Sequence, residues 1–324
     1  MRYAMAAAKP GGSDVIRKIE LDAFSPSAEE VLIRHEAIGL NFLDIYIRNG
    51  AYPWPVEADL VLGSEGAGVI EAVGSDVDEL AVGDRVGYTL ANGAYATHRL
   101  INATHVVKLP DYVSSELAAS IMLKGLTVAY LINDSFKVEA GHTVLFHAAA
   151  GGVGLIAGQW LNALGATVIG TAGGADKCAL AKANGYQHVI DYKIADFEAE
   201  VMKLTDGNGV DVTYDSVGND TMARSLTSTR RHGTIIAFGQ SSGPYLDFKI
   251  TDLAKGSYNL SRPTLFHFAG ERNWLEANSA KLFTAVTDGT VNVSINQKFA
   301  LEDVAKAHDA LTGRATTGST ILTV

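Results

Sequence analysis

From Tyr3 to about Leu109 the apolar positions fall in short runs cut by Gly, Asp, Ser and Pro: VIRKIELD, EEVLIRHEAIGLN, GVIEAVG, DRVGYTL and AYATHRLI. Runs of this length between turn residues predict strands, and their close spacing predicts a small β-barrel-type domain. From Ser114 the pattern lengthens into one helix, SSELAASIMLKGLTVAYLIND. Strand-like runs then alternate with helical ones: TVLFHA, ATVIGTA, YQHVIDY, VDVTYDSVG, GTIIAFG and SYNLSRP. That alternation predicts an α/β fold with a doubly wound parallel sheet. After Pro263 a helix, ERNWLEANSAKLFTAVTDG, leads to a tail ending in the strand-like STILTV, which is expected to return and pack on the first domain. The pattern thus divides the chain into a domain over 1–124 completed by 262–324, and an inserted domain over 125–261. No fixed-period repeat or low-complexity tract interrupts it.

Composition narrows the function classes. At 324 residues and 47% hydrophobic, the chain can bury sizeable cores. Its apolar runs read as short and broken by Gly, Asp or Lys, so no run is expected to approach the roughly 20 residues that span a bilayer. The start, MRYAMAAAKPGG, lacks a signal-peptide core, so the mature chain is expected to begin at Met1 in the cytoplasm. A formal net charge of −10 and a pI near 5.3 offer no basic face, and nucleic acid is not expected as a partner. The single cysteine, Cys178, can form neither an intrachain disulfide nor a cysteine-based zinc site. Its place in DKCALAKANG reads as a small packed residue.

The strongest local chemistry lies in TVLFHAAAGGVG, Thr143 to Gly154. A β-rich run opens into a small-residue turn and then the helical LIAGQWLNALG, the arrangement of a dinucleotide pyrophosphate site. Gly151, Gly152, Val153 and Gly154 would bring backbone N–H groups and the positive end of the helix dipole to the phosphates. Ala148, Gly151 and Gly154 make an AxxGxxG spacing in place of the full GxGxxG. On its own AxxGxxG also fits a tight helix-strand contact.

The cofactor follows from the second strand. An NAD site usually places Asp or Glu about 20 residues past the turn, on the ribose hydroxyls. Here ATVIGTA runs into Gly173 and Gly174, with Lys177 one helical turn on. With no carboxylate there to repel a 2′-phosphate, the site favours NADPH. Lys177 is the expected cation, with Gly173 and Gly174 as backbone donors; the alternative is a solvated lysine at a helix start. Tyr192, after the third strand, either flanks the same phosphate or packs as an aromatic.

Taken together, AIGLNFLDIYIRNGAYP (37–53), LGSEGAGVIEAVG (62–74), GDRVGY (83–88), LKGLTVAYL (123–131), HAAAGGVGLIAGQW (147–160), YDSVG (214–218) and RATTGSTIL run in the order of one family. The chain resembles the medium-chain dehydrogenase/reductase superfamily, and within it the zinc-free NADPH:quinone oxidoreductases of the zeta-crystallin-like group. The resemblance implies an N-terminal GroES-like catalytic domain, a central Rossmann domain and an active-site cleft between them. Where zinc-dependent relatives place a first-shell Cys and a His, this chain has Asn41 and Ser64, and the four-cysteine structural lobe is missing. No catalytic metal is therefore expected.

Without zinc, hydrogen bonds must polarise the substrate carbonyl as hydride arrives, and a quinone needs little further help because aromatisation drives its reduction. The candidate catalytic groups are the Asn41 amide, the Tyr52 phenol and Tyr46. Asn41 and Tyr46 are also candidate cofactor contacts. Tyr52 corresponds to the proton-donating tyrosine of related enoyl thioester reductases, or else packs beside Pro53 and Trp54. The family pattern adds Thr127, near the start of a helix, then Ser216, Val217, Phe238, Gly239 and Ser241 after strand ends, and Arg314 from the tail. For each of these a plain turn or cap role is the alternative. Asp44 and Glu65 read as scaffold hydrogen-bonding residues. The activity implied is NADPH-dependent reduction of a small quinone. The rivals are reduction of an activated C=C bond in an alkenal, enone or enoyl thioester, and a non-catalytic NADPH-binding protein. The last strand, SYNLSRP, could pair with another subunit, so a homodimer is expected.

Overall fold

The alternating runs after residue 142 form a six-stranded, wholly parallel sheet in the computed structural model, which describes residues 1–324. In chain order its strands are Thr143–Phe146, Thr167–Ala172, His188–Asp191, Val210–Asp215, Thr229–Ala237 and Asn259–Ser261. In space the order is third, second, first, fourth, fifth, sixth. The chain reverses direction of travel between the first and fourth strands, and their carboxyl ends meet at that switch point, where doubly wound folds bind ligands. Leu145, Ile169, Ile190, Phe197, Val201 and Val210 pack one face into an apolar cluster. Strands covered on both faces explain why these runs are continuously apolar rather than alternating.

Two compact units share the chain: Met1–Leu126 with Phe266–Thr287 and Val293–Val324, and Thr127–Leu265 with Asp288–Asn292. The first is built on the long strand Glu30–Gly39, antiparallel to Glu65–Val73 on one side and to the terminal strand Ser319–Thr323 on the other. Arg85–Thr89 and Val106–Lys108 extend this sheet, and a smaller one joins Tyr3–Ala7 to Ile16–Glu20 and Leu60–Val61. Val31, Ile33, Ile38, Leu62, Ile70, Val86, Tyr95 and Leu322 fill the core.

AYATHRLI is strand only over His98–Asn102. Its first residues are held by the backbone bonds Met5 N–H to Tyr95 O and Tyr95 N–H to Leu62 O.

The expectation that every apolar run is too short to cross a membrane is corrected. The helical stretch Ser115–Ser135 is long and apolar enough by length and composition, and 89% of its most apolar window is buried inside the protein. Lys124 reads as a break in the run but lies inside the helix, 5% exposed and paired, so the apolar surface is continuous and is covered by packing.

Candidate functional site

The first strand ends at Phe146 and the turn follows. Ala148 adopts φ +55°, a left-handed conformation that usually calls for glycine, and Gly151 N–H closes the turn on the Ala148 carbonyl at 2.9 Å. Gly151 then caps the helix Gly152–Ala163 without any side chain to accept from it. The N–H groups of Gly152, Val153 and Gly154 lie ahead of the first intrahelical bond, Leu155 N–H to Gly151 O, and point out of the helix end. At Gly154 a Cβ would strike the carbonyl oxygens of Ala148 and Ala149, so only glycine lets the helix sit this close to the strand. An open set of amides at a helix N-terminus on a switch point fits an anionic diphosphate.

Gly173 lies against the Tyr192 phenol: a Cβ there would come 2.5 Å from its oxygen. Lys177 is half-buried on the following helix, Ala175–Ala183. Here the sequence reading is revised. The Gly174 N–H is not an open donor, because it donates to Asp191 Oδ1 at 2.9 Å, and Lys193 N–H donates to the same oxygen at 3.0 Å. These two backbone donors hold the Asp191 carboxyl below its usual range. A carboxylate at the end of the third strand thus shapes the turn after the second, a link invisible in a search confined to the second strand.

The loops after the fourth and fifth strands are stitched together. Phe238 N–H donates to Asp215 O, Ser241 N–H to Ser216 O and Ser242 N–H to Val217 O. This brings Ser216, Val217, Phe238, Gly239 and Ser241 into one cluster. The Phe238 ring lies 5.6 Å from that of Phe146, at the end of the strand that feeds the glycine turn. Beneath it, Asp215 accepts from Val217 N–H, Gly218 N–H and the Thr221 and Ser225 hydroxyls, and Ser225 reaches His147 at 3.0 Å. Burial lowers the His147 pKa.

In the other unit Asn41, Tyr46 and Tyr52 come together around the helix Phe42–Arg48. The Tyr46 and Tyr52 rings meet edge to face at 5.6 Å, and Tyr52 N–H donates to Tyr46 O at 3.0 Å. Tyr52 and Trp54 also pack partly against the apolar core. Asn41 Nδ2 donates to Glu65 Oε1 at 2.8 Å, and Lys124 Nζ donates to the same oxygen at 2.8 Å. Leu123 N–H takes the other carboxylate oxygen at 2.7 Å. Gly39 makes room for this carboxylate, since any Cβ there would overlap it. One N–H of the Asn41 amide is therefore committed to Glu65, leaving its second N–H for another partner. Lys124 was missed by sequence reasoning. Its signal was a lone cation inside an apolar helix, which must be paired if buried.

Asn41 and Ser64 do not form a metal site. The Asn41 amide is bonded to Glu65 and the Ser64 hydroxyl donates to Asp44, and no group of three or more His, Cys, Asp or Glu is arranged to hold an ion. Thr127 departs from expectation: it lies 7% exposed well inside the helix Ser115–Tyr130, which continues through Gly125 rather than restarting there. Arg314 sits exposed after the helix Val304–Thr312, with φ +59°. Cys178 is half-buried, and burial raises its thiol pKa.

With this geometry in hand, comparison with known proteins is specific. Residues 27–111 match the alcohol dehydrogenase GroES-like domain and residues 152–277 the zinc-binding dehydrogenase model. Quinone oxidoreductase of Pseudomonas aeruginosa is 44% identical over 314 residues, 96% of each chain. 2-Haloacrylate reductase of a Burkholderia species is 40% identical over 330 residues, 99% of each. The crystal structure of Escherichia coli quinone oxidoreductase complexed with NADPH superimposes with a TM-score of 0.97 at 40% identity, covering 99% of this chain and 100% of that one. The chain belongs to the medium-chain dehydrogenase/reductase superfamily, in its zinc-free quinone oxidoreductase family.

Proposed function

We propose that this protein reduces small quinones with NADPH and without a metal. The observation that carries the reading is the open glycine turn at the sheet's switch point, in a chain with quinone oxidoreductases among its near-full-length relatives. The open amides of Gly152, Val153 and Gly154 would hold the diphosphate, while Gly151, whose N–H closes the turn on Ala148, would let the backbone approach it. Gly173, Lys177 and Tyr192 would hold the 2′-phosphate, with Gly174 shaping that turn. Thr127, Ser216, Val217, Phe238, Gly239, Ser241 and Arg314 are assigned to the remaining cofactor contacts, as are Asn41 and Tyr46. Bound NADPH supplies the hydride. The residues' own task is to orient the quinone and donate hydrogen bonds to its oxygens, which falls to the free Asn41 N–H and the Tyr52 and Tyr46 hydroxyls. In this reading residues 1–124 with 262–324 form the catalytic domain and 125–261 the cofactor domain, and the compartment is the cytoplasm.

Self-association is part of the same reading. Asn259–Ser261 is an edge strand, and Leu246 and Ile250, 83% and 74% exposed, precede it in the chain. An open edge with apolar neighbours supports a homodimer, which gel filtration would read directly.

Reduction of an activated C=C bond is the second reading, favoured by the 2-haloacrylate reductase relative and by a tyrosine at position 52. Tyr52→Phe separates the two. It should leave 1,4-benzoquinone turnover within about threefold while a proton-requiring enone reduction falls about a hundredfold. Equal losses with both acceptors would defeat the quinone assignment.

A further inference from the structure

The helix Phe42–Arg48 holds a buried chain of polar groups that the roles assigned above leave unused. Asp44 accepts from Ser64 Oγ at 2.6 Å, from Tyr95 OH at 2.8 Å and from Asn41 N–H at 2.9 Å. Past Tyr95 the chain continues to His308 Nε2 at 2.9 Å, and from His308 Nδ1 to Arg48 Nη1 at 3.2 Å. Asp44, Ser64, Tyr95 and His308 are all fully buried.

The direction of every bond in this chain is fixed by what each group can do. A guanidinium only donates, so His308 Nδ1 accepts from Arg48. The neutral ring then carries its proton on Nε2 and donates to the Tyr95 oxygen, whose own proton goes to Asp44. Burial, reinforced by the Arg48 charge, pushes the His308 pKa down to about 3, which keeps it in this neutral form. The terminus of the chain is the backbone N–H of Asn41, whose side chain is held separately by Glu65.

The geometry points to His308 as a positioning residue for the reduction: through Tyr95 it orients Asp44, and through Asp44 it fixes the backbone of Asn41. This rests on the assignment of Asn41 to the substrate carbonyl. His308 comes from the helix Val304–Thr312, 260 residues from Arg48 in sequence, so the C-terminal segment would set the geometry of a catalytic turn near the start of the chain.

Asp44 also makes the chain readable by pH. A carboxylate matches three donors, whereas a proton on it would displace one of them. Burial raises the Asp44 pKa to about 6, opposed by its bonds from Ser64, Tyr95 and Asn41 N–H and aided by the Glu65 charge. Lys124 is paired to Glu65, and Asp14 and Asp309 act on Arg48.

The test follows the Asn41 backbone amide resonance of 15N-labelled full-length protein from pH 4.5 to 8, alongside kcat and KM with 1,4-benzoquinone and NADPH. In the wild type the resonance should shift with a midpoint near 6. Tyr95→Phe removes a donor to Asp44 and should move the midpoint upward. His308→Ala should move it too and lower kcat about fivefold to tenfold with the KM for NADPH unchanged. His308→Gln, which returns a donor at similar reach, should recover most of both. If His308→Ala does not fold, Tyr95→Phe and His308→Gln decide the matter by the same readouts. Variants that lose thermal stability while keeping the wild-type midpoint and kcat would overturn the proposal. A wild type without quinone turnover would overturn the function proposed above, and the amide titration would still decide this inference.

Discussion

Lys124 donates to Glu65 at 2.8 Å with the two side chains only 7% and 0% exposed. A charge pair removed from water this completely must have its partners in place, and the Asn41 amide and the Leu123 N–H supply the rest. Lys124→Met should therefore lower the unfolding free energy by about 3–5 kcal/mol, because Glu65 is left buried without its cationic partner. The double variant Lys124→Met/Glu65→Gln should cost clearly less than the sum of the singles. Urea unfolding measures both. A Lys124→Met protein within about 0.5 kcal/mol of wild type would mean that the pair is not buried as described.

The glycine turn makes its own demand. At Gly154 a methyl group would press on the Ala148 and Ala149 carbonyls, so Gly154→Ala must push the helix away from the strand. NADPH binding, followed by fluorescence titration, should weaken by roughly tenfold or more, corresponding to about 1–3 kcal/mol of displaced packing. Unchanged affinity would move the cofactor away from this turn.

Stability should fall as the solution is acidified from neutrality. Burial lowers the pKa of His35 and of His308 to about 3, against an ordinary value of 6.5. Between pH 6.5 and 3 the unfolded chain binds these protons and the folded one does not, so stability is lost as pH falls through that window. Asp44 acts the other way. Its folded value of about 6 lies above its ordinary 3.8, so its contribution favours the folded state at low pH and is lost as pH rises through 6. Two histidines outweigh one carboxyl, and His35→Gln should flatten the decline seen by urea unfolding at pH 7, 6 and 5. A wild-type stability that rises toward pH 5 would contradict this.

The fold was legible where its signals are local. The alternating runs of the parallel sheet, the helix after Gly151 and the short strands of the first unit all follow from spacing and turn residues. Ala148, which opens the AxxGxxG spacing, takes a left-handed backbone. What the sequence hid were links between distant segments. Tyr95 and His308 are 213 residues apart, and nothing near either one announces the other. Asp191 grips Gly174 from a neighbouring strand, so a site read strand by strand misses it. Lys124 misled most directly: as a lone cation it reads as an interruption, whereas pairing with Glu65 lets it stay inside an apolar helix.

Metal-free quinone reduction with NADPH can be tested by comparing kcat/KM for NADPH and NADH with 1,4-benzoquinone after exhaustive chelation, in wild type and Lys177→Ala. Full turnover without metal is expected, with a preference for NADPH of at least about tenfold and loss of most of that preference in Lys177→Ala. Turnover that disappears on chelation and returns with zinc, or that proceeds equally well with NADH, would contradict it.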